Sequence, residues 1–181
     1  MNKPHRVIIF LLVLIFAAGC STVNWPGYES VHVPLNTGVR DASFLSPGEL
    51  EIVHDMIKAR LRAGDQSLKP LMLSRGLSFA AKQKAGETAE TGRKENAPAP
   101  QPLMARVQKF GKVKGGVAEL VSHGYPQRIV VEQFMKPDSV PDGEKPDIYF
   151  LDARYTVTGV GCTGDFYPVC VLTFATDFAE P

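Results

Sequence analysis

Net charge, histidine and cysteine are all scarce in this chain, and each scarcity closes off a class of function. Twenty lysines and arginines stand against nineteen acidic residues, for a formal charge of +1 in 181 residues. A chain so close to neutral has no electrostatic case for binding nucleic acid. The four histidines are dispersed, and none follows His123. No pair has the close Cys/His spacing that metal ligands want, so the sequence implies neither a metal nor another cofactor. The longest run of large apolar residues, Val7 to Phe16, is ten residues. A permanent membrane-spanning helix needs about 20.

What is present begins with an address. Lys3 and Arg6 precede that apolar run, and Ala17-Ala18-Gly19-Cys20 follows it. A basic start, a short apolar core and small residues before a processing point describe an export signal. The four residues ending in Cys20 resemble the bacterial lipobox, in which the cysteine is acylated and becomes the mature N-terminus. The resemblance implies a leader over 1–19 and attachment to a membrane through lipid on Cys20. Each acyl chain contributes about 0.8 kcal/mol per buried CH₂. Ser21 after the cysteine resembles the pattern for outer-membrane sorting, in a host that has an outer membrane. Without Lys3 and Arg6 the formal charge becomes −1.

With Cys20 assigned to lipid, Cys162 and Cys170 remain, and an even remainder in an exported protein reads as one disulfide. The runs Tyr155–Cys162 and Cys170–Ala175 are β-rich and are joined by Thr163-Gly-Asp-Phe-Tyr-Pro168. That is a hairpin signature.

Residues 20–45 carry Asn24, Pro26, Gly27, Pro34, Asn36 and Gly38 without sustained period and read as a tether; 46–181 is then the folded domain. It opens on Ser46-Pro47-Gly48-Glu49, a capping box with proline at the first helical position. Leu45 and Leu50 are placed as a hydrophobic staple. Leu50, Val53, Ile57 and Leu61 follow at helical spacing as the expected buried face, and Gly64 ends the helix. On that helix His54 reads as a hydrogen-bonded core residue rather than a ligand.

A second helix is expected from Ser74 to about Gly86, with Leu77, Ala80, Ala81 and Ala85 forming a small-residue face for close approach. Residues 87–102 read as a loop, Leu103 to Phe110 as a short helix, and Val117 to Val121 as a strand entered through Gly115-Gly116. A further helix runs from Pro126 to Met135, and 138–146 is a second loop. The lysines and arginines read as scattered over solvent faces. Helices mixed with an antiparallel C-terminal pair give an α+β class.

The order of these segments resembles the CAP superfamily, the cysteine-rich secretory, antigen 5 and pathogenesis-related proteins, in its small bacterial form. Val117-Ala-Glu-Leu-Val-Ser-His-Gly124 is similar to the family's "GENIA.G" strand. Phe134-Met-Lys-Pro137 is similar to the helix ending "W-M-x-x-P", and Tyr155-Thr-Val-Thr-Gly-Val-Gly-Cys162 to "Y-T-x-x-G-V-G" and its hairpin. The resemblance covers about residues 48–178 and implies an α–β–α sandwich.

It also implies a cleft where family members place two histidines and two acidic residues, in some cases around a divalent metal. Of these Glu119 matches the strand glutamate, while 87–102 contains no histidine and Pro146 stands where the second belongs, with Glu144 nearby. His123 is four residues beyond Glu119 on the same strand face, about 13 Å along it, too far to share one ion. Glu119, His123 and Glu144 are therefore the candidate ligand-binding residues, with no metal. Glu119 is also the one candidate catalytic residue, needing a second group such as Glu132 or Glu144 at contact distance. Ser122 points to the other face from His123. The expectation is an envelope-anchored, non-catalytic module binding a small apolar ligand or an envelope protein. The competing expectation is a hydrolase of envelope peptide or glycan using Glu119.

Overall fold

The computed structural model describes residues 42–91, 101–136, 148–164 and 167–181. The leader, Cys20, nearly all of the expected tether, and Glu144 lie outside them.

Helix α1, Pro47–Arg62, starts as its sequence dictates. Ser46 Oγ accepts from Glu49 N at 3.3 Å, and Ser46 N donates to Glu49 Oε2 at 2.7 Å. It stops at Ala63, with Gly64 at φ 65° leading the chain away. Its buried face differs from the apolar spacing. Leu61 is 60% exposed, while Glu49, Ile52, Val53, Met56, Ile57, Ala59 and Arg60 are buried. The true stripe includes two charged residues whose heads are bonded inside the protein, which a count of apolar residues cannot register. His54 is half-exposed and makes no side-chain hydrogen bond among the described residues, so it is not the bonded core residue expected. Phe44 and Leu45 belong to the domain rather than the tether: Phe44 meets the Phe79 ring and Leu45 packs on the core.

Strand β1, Met72–Leu73, is too short to leave a sequence pattern. Helix α2, Arg75–Thr91, runs five residues past Gly86. Gln83 bonds Glu87 at 2.7 Å, Thr91 Oγ1 donates to the Glu87 carbonyl at 2.6 Å, and Ala89 still packs against the cluster of Ala81, Ala85, Val169 and Val171. Helix α3 is Leu103–Val107. Strand β2, Lys112–His123, is longer than expected because Gly115-Gly116 lie within it, at an irregularity between Lys114 and Val117. One 3₁₀ turn, Gln127–Ile129, leads into α4, Val130–Met135. Strands β3, Val157–Thr163, and β4, Val169–Ala179, form the hairpin.

The sheet order is β1-β3-β4-β2, antiparallel except for β1 beside β3. Along β4 successive side chains alternate between two cores. Cys170, Leu172 and Phe174 meet Ile52, Met56 and Val130 from α1 and α4, while Val169, Val171 and Ala175 face Leu77, Ala81 and Ala85 of α2. The result is an α–β–α sandwich. The α2 layer lies close, since Gly159 and Gly161 of β3 leave the helix backbone the room a side chain would fill. The disulfide joins Cys162 and Cys170, direct cross-strand partners with Cα atoms 4.1 Å apart. Closing this short loop is worth about 2.5 kcal/mol on the loop-entropy account.

The outer edge of β3 is closed by several devices. Beyond β1, Ser78 Oγ accepts from Val160 N at 3.2 Å and Glu49 Oε1 accepts from Cys162 N at 2.8 Å. Glu49 also pairs with Lys82 Nζ at 3.2 Å, so one carboxylate caps α1, holds the hairpin and ties α2. At the other end Glu180 accepts from Ser74 Oγ at 2.8 Å and Gly76 N at 3.0 Å, at the start of α2.

Burial raises the Glu180 carboxyl, but the bonds from Gly76, Ser74 and Arg75 and the Arg75 charge outweigh it and hold the group below its ordinary 4.5. A depressed folded value contributes stability above the unfolded value and loses it as pH falls through the folded one. Glu180→Gln is therefore expected to flatten the stability profile below pH 4.5, checked by urea unfolding at a series of acid pH values. An unchanged acid limb would mean the contact has no energetic weight.

Candidate functional site

Glu119 lies mid-strand on β2 on the α2-facing side, opposite Thr173 of β4, which in turn stands beside Gly159. Over it sits α3. Arg106 of that helix points inward with its side chain 1% exposed, and its Nη2 donates to Glu119 Oε2; the carboxylate side chain is itself 13% exposed. Arg106 Nη1 also donates to the Gln101 carbonyl at 3.0 Å. Among the described residues Arg106 Nε and Thr173 Oγ1 have no hydrogen-bond partner. A carboxylate acting as acid or base must face the proton it exchanges. Here one of its two oxygens faces a buried guanidinium.

The other candidates among the described residues are not brought to it. His123 shares the face but stands exposed at the strand end, opposite Val169. Glu132 is on α4, in the layer across the sheet, and pairs with Lys136 at 3.4 Å in solvent. Ser122 is buried on that opposite side, its hydroxyl without a hydrogen-bond partner among the described residues. Glu144 lies outside the described residues. Among the described residues no three His, Cys, Asp or Glu side chains are grouped to hold one metal ion.

Two arginines, read as solvent-facing, are instead buried: Arg106, and Arg60 at 5% exposure. Arg60 donates to the carbonyls of Phe150 at 2.8 Å, Asp152 at 2.7 Å and Tyr155 at 2.8 Å, and to that of Lys69. It thereby ties the end of α1 to the segment entering β3. Burial lowers its pKa, and the Asp152 charge partly restores it. Spacing carried a signal for both residues. Arg60 is four after Met56 and Arg106 three after Leu103, each in register with a buried stripe.

Beside Arg60 is a hollow of about 210 Å³ walled by Ile57, Leu61, Leu68, Pro70 and Leu71, with Gly64, Asp65 and Gln66 at its rim. It lies between the last turns of α1 and the loop that folds back along them. No resemblance pointed to it, and Leu61, exposed rather than buried as its spacing predicts, lines it.

No family model and no curated protein matches the chain. Solved structures do. An outer surface protein of Borrelia burgdorferi aligns with a TM-score of 0.54 at 16% identity, over 74% of this chain and 93% of that one. An extracellular protein of Bacillus anthracis containing an SCP domain gives 0.54 at 14% identity, over 72% of this chain and 44% of that one. A cysteine-rich secretory protein of Staphylococcus aureus gives 0.50 at 20% identity, over 72% and 39%. This chain spans less than half the length of the latter two. The likeness is one of fold: over the described residues from 42 to 181 the chain shares the fold of these SCP-domain structures, here an α–β–α sandwich with a disulfide-bridged C-terminal hairpin.

Proposed function

We propose that this CAP-fold chain is an exported lipoprotein, held to the cell envelope through lipid on Cys20, whose domain binds a small apolar ligand and does not catalyse a reaction at Glu119. The Arg106–Glu119 pair is the observation that carries the reading. An ion pair at that position joins α3 to the sheet and gives Glu119 a structural task. The hollow beside Arg60 supplies the alternative place for a ligand, because its walls are aliphatic and one exposed leucine marks its mouth. The lipobox residues support the anchor, and the likeness to an outer surface protein is in keeping with it.

Native mass spectrometry on residues 20–181 with Cys20→Ser, expressed for export, tests the binding half. The expected result is a retained apolar small molecule that is lost when Leu71→Trp fills the hollow. A ligand retained equally by Leu71→Trp, or none at all, would sink that half. Fractionation tests the anchor: Cys20→Ser in the full chain is expected to move the protein from the membrane pellet to the soluble fraction.

A further inference from the structure

Among the described residues only one of the sheet's two edges is closed. Which groups the other presents follows from the disulfided hairpin. Cys162 N donates to Glu49 and Val160 N to Ser78, so both point away from β4. In an antiparallel ladder, residue pairs alternate between those that exchange backbone bonds and those that do not. Cys162–Cys170 is therefore a pair that exchanges no backbone hydrogen bonds, and Cys170 turns its N–H and C=O toward β2. Its partner there is Ser122. Ser122, Leu120 and Ala118 thus bond inward to β4, a series that Gly124 N continues by donating to the Pro168 carbonyl at 2.8 Å. Val117, Glu119, Val121 and His123 turn their backbone groups outward. Among the described residues nothing bonds those outward groups.

The two halves of β2 differ. The first has Lys112, Lys114 and the irregularity at Gly115, whose φ is 95°, all features that discourage strand addition. From Val117 to His123 the register is unbroken and contains no proline, lysine or bulge. Its one carboxylate, Glu119, is already matched by Arg106 within the same molecule. Val117, Leu120 and Val121 are partly exposed.

We infer that the outer edge of β2 over Val117–His123 pairs with the same segment of a second copy of this chain, antiparallel about a two-fold axis at Leu120. In that register Val117 lies opposite His123 of the second copy and Glu119 opposite Val121. The two carboxylates are then not set against each other, and outward groups face outward groups along the segment. About eight backbone hydrogen bonds result. The contact is isologous and closes on two copies, leaving no free edge to propagate. It is independent of the ligand and of the lipid; an anchored population would only raise the local concentration at which it forms.

The test is residue-resolved hydrogen exchange with sedimentation equilibrium on residues 20–181 with Cys20→Ser, over an approximately hundredfold range of concentration. The expected mass climbs toward that of a dimer. The amides of Val117, Glu119, Val121 and His123 gain protection with concentration, while those of Ala118, Leu120 and Ser122 stay protected throughout. Val121→Pro removes an outward donor, which an edge strand tolerates. It is expected to weaken the dimer at least about tenfold with an unchanged circular dichroism spectrum. Should that variant fail to fold, His123→Pro at the exposed strand end takes its place. A monomer at every concentration overturns the inference. So does protection of the outward amides at the lowest concentration, which would place another part of the chain on the edge. So does a dimer that survives both proline variants.

Discussion

Replacing Gly161 by alanine is expected to cost more than about 3 kcal/mol, above the common range for overpacked cores. A Cβ at this position would stand 2.2 Å from Lys82 N, 2.6 Å from Lys82 Cα and 2.7 Å from the Ala81 carbonyl carbon. All three are backbone atoms of α2, so no side-chain rotation relieves the clash and the helix itself must move. Gly159 is in the same position two residues earlier, 2.3 Å from the Leu77 carbonyl carbon and from Ser78 N. Moving α2 would also pull Ser78 from Val160 N and Lys82 from Glu49, reopening the edge of β3. Gly86→Ala is the matched control, because nothing lies within 4 Å of its Cβ position. There alanine removes the helix-interior glycine penalty and is expected to stabilise by about 0.5–1 kcal/mol. Urea unfolding followed by circular dichroism reads both variants. A Gly161→Ala protein as stable as the parent would mean that α2 does not lie against β3 as described.

The second large effect is expected at the buried ion pair. Arg106→Met should cost about 3 kcal/mol, the lower part of the range for breaking a buried pair, since Glu119 keeps some access to solvent. For a domain of this size that lowers Tm by roughly 10 °C. Adding Glu119→Leu to Arg106→Met should restore more than half of the loss, because an apolar pair leaves no unmatched charge behind. Thermal melts of the single and double variants decide. A double variant worse than the single would show that the pair contributes more than charge balance.

The elements that were legible in the sequence are those set by local chemistry. Ser46, Pro47 and Glu49 start α1 through bonds made within one turn. The alternating β-rich runs around Cys162 and Cys170 place the hairpin, and the even cysteine remainder supplies its bridge. The small face of α2 foretells a close approach. The less legible features depend on partners far along the chain. Glu49 was read as a capping residue, yet its other oxygen holds Cys162, a neighbour that only folding supplies. Arg60 and Arg106 looked solvent-facing because arginine usually is. They are buried because backbone carbonyls and a carboxylate from distant segments meet them. The five extra residues of α2 and the glycines inside β2 were misassigned because polar and glycine-rich stretches break periodicity without always breaking the element.

For the candidate site the division is sharper. Sequence picked out Glu119 and placed it with His123 on one strand face, because strand alternation is a local rule. It could not say what would stand over Glu119, since α3 is brought there by packing and not by any pattern within β2. Nor could it anticipate the hollow beside Arg60, which exists only where the loop after Gly64 folds back along its own helix. By itself the sequence determined the cap of α1, the hairpin and its bridge, all consequences of short-range geometry and side-chain type, while the α–β–α layering was legible only as what the family resemblance implied. The tertiary structure alone decided which charges are buried together and which segments meet beside Arg60 and over β2, because each depends on surfaces meeting across long stretches of chain.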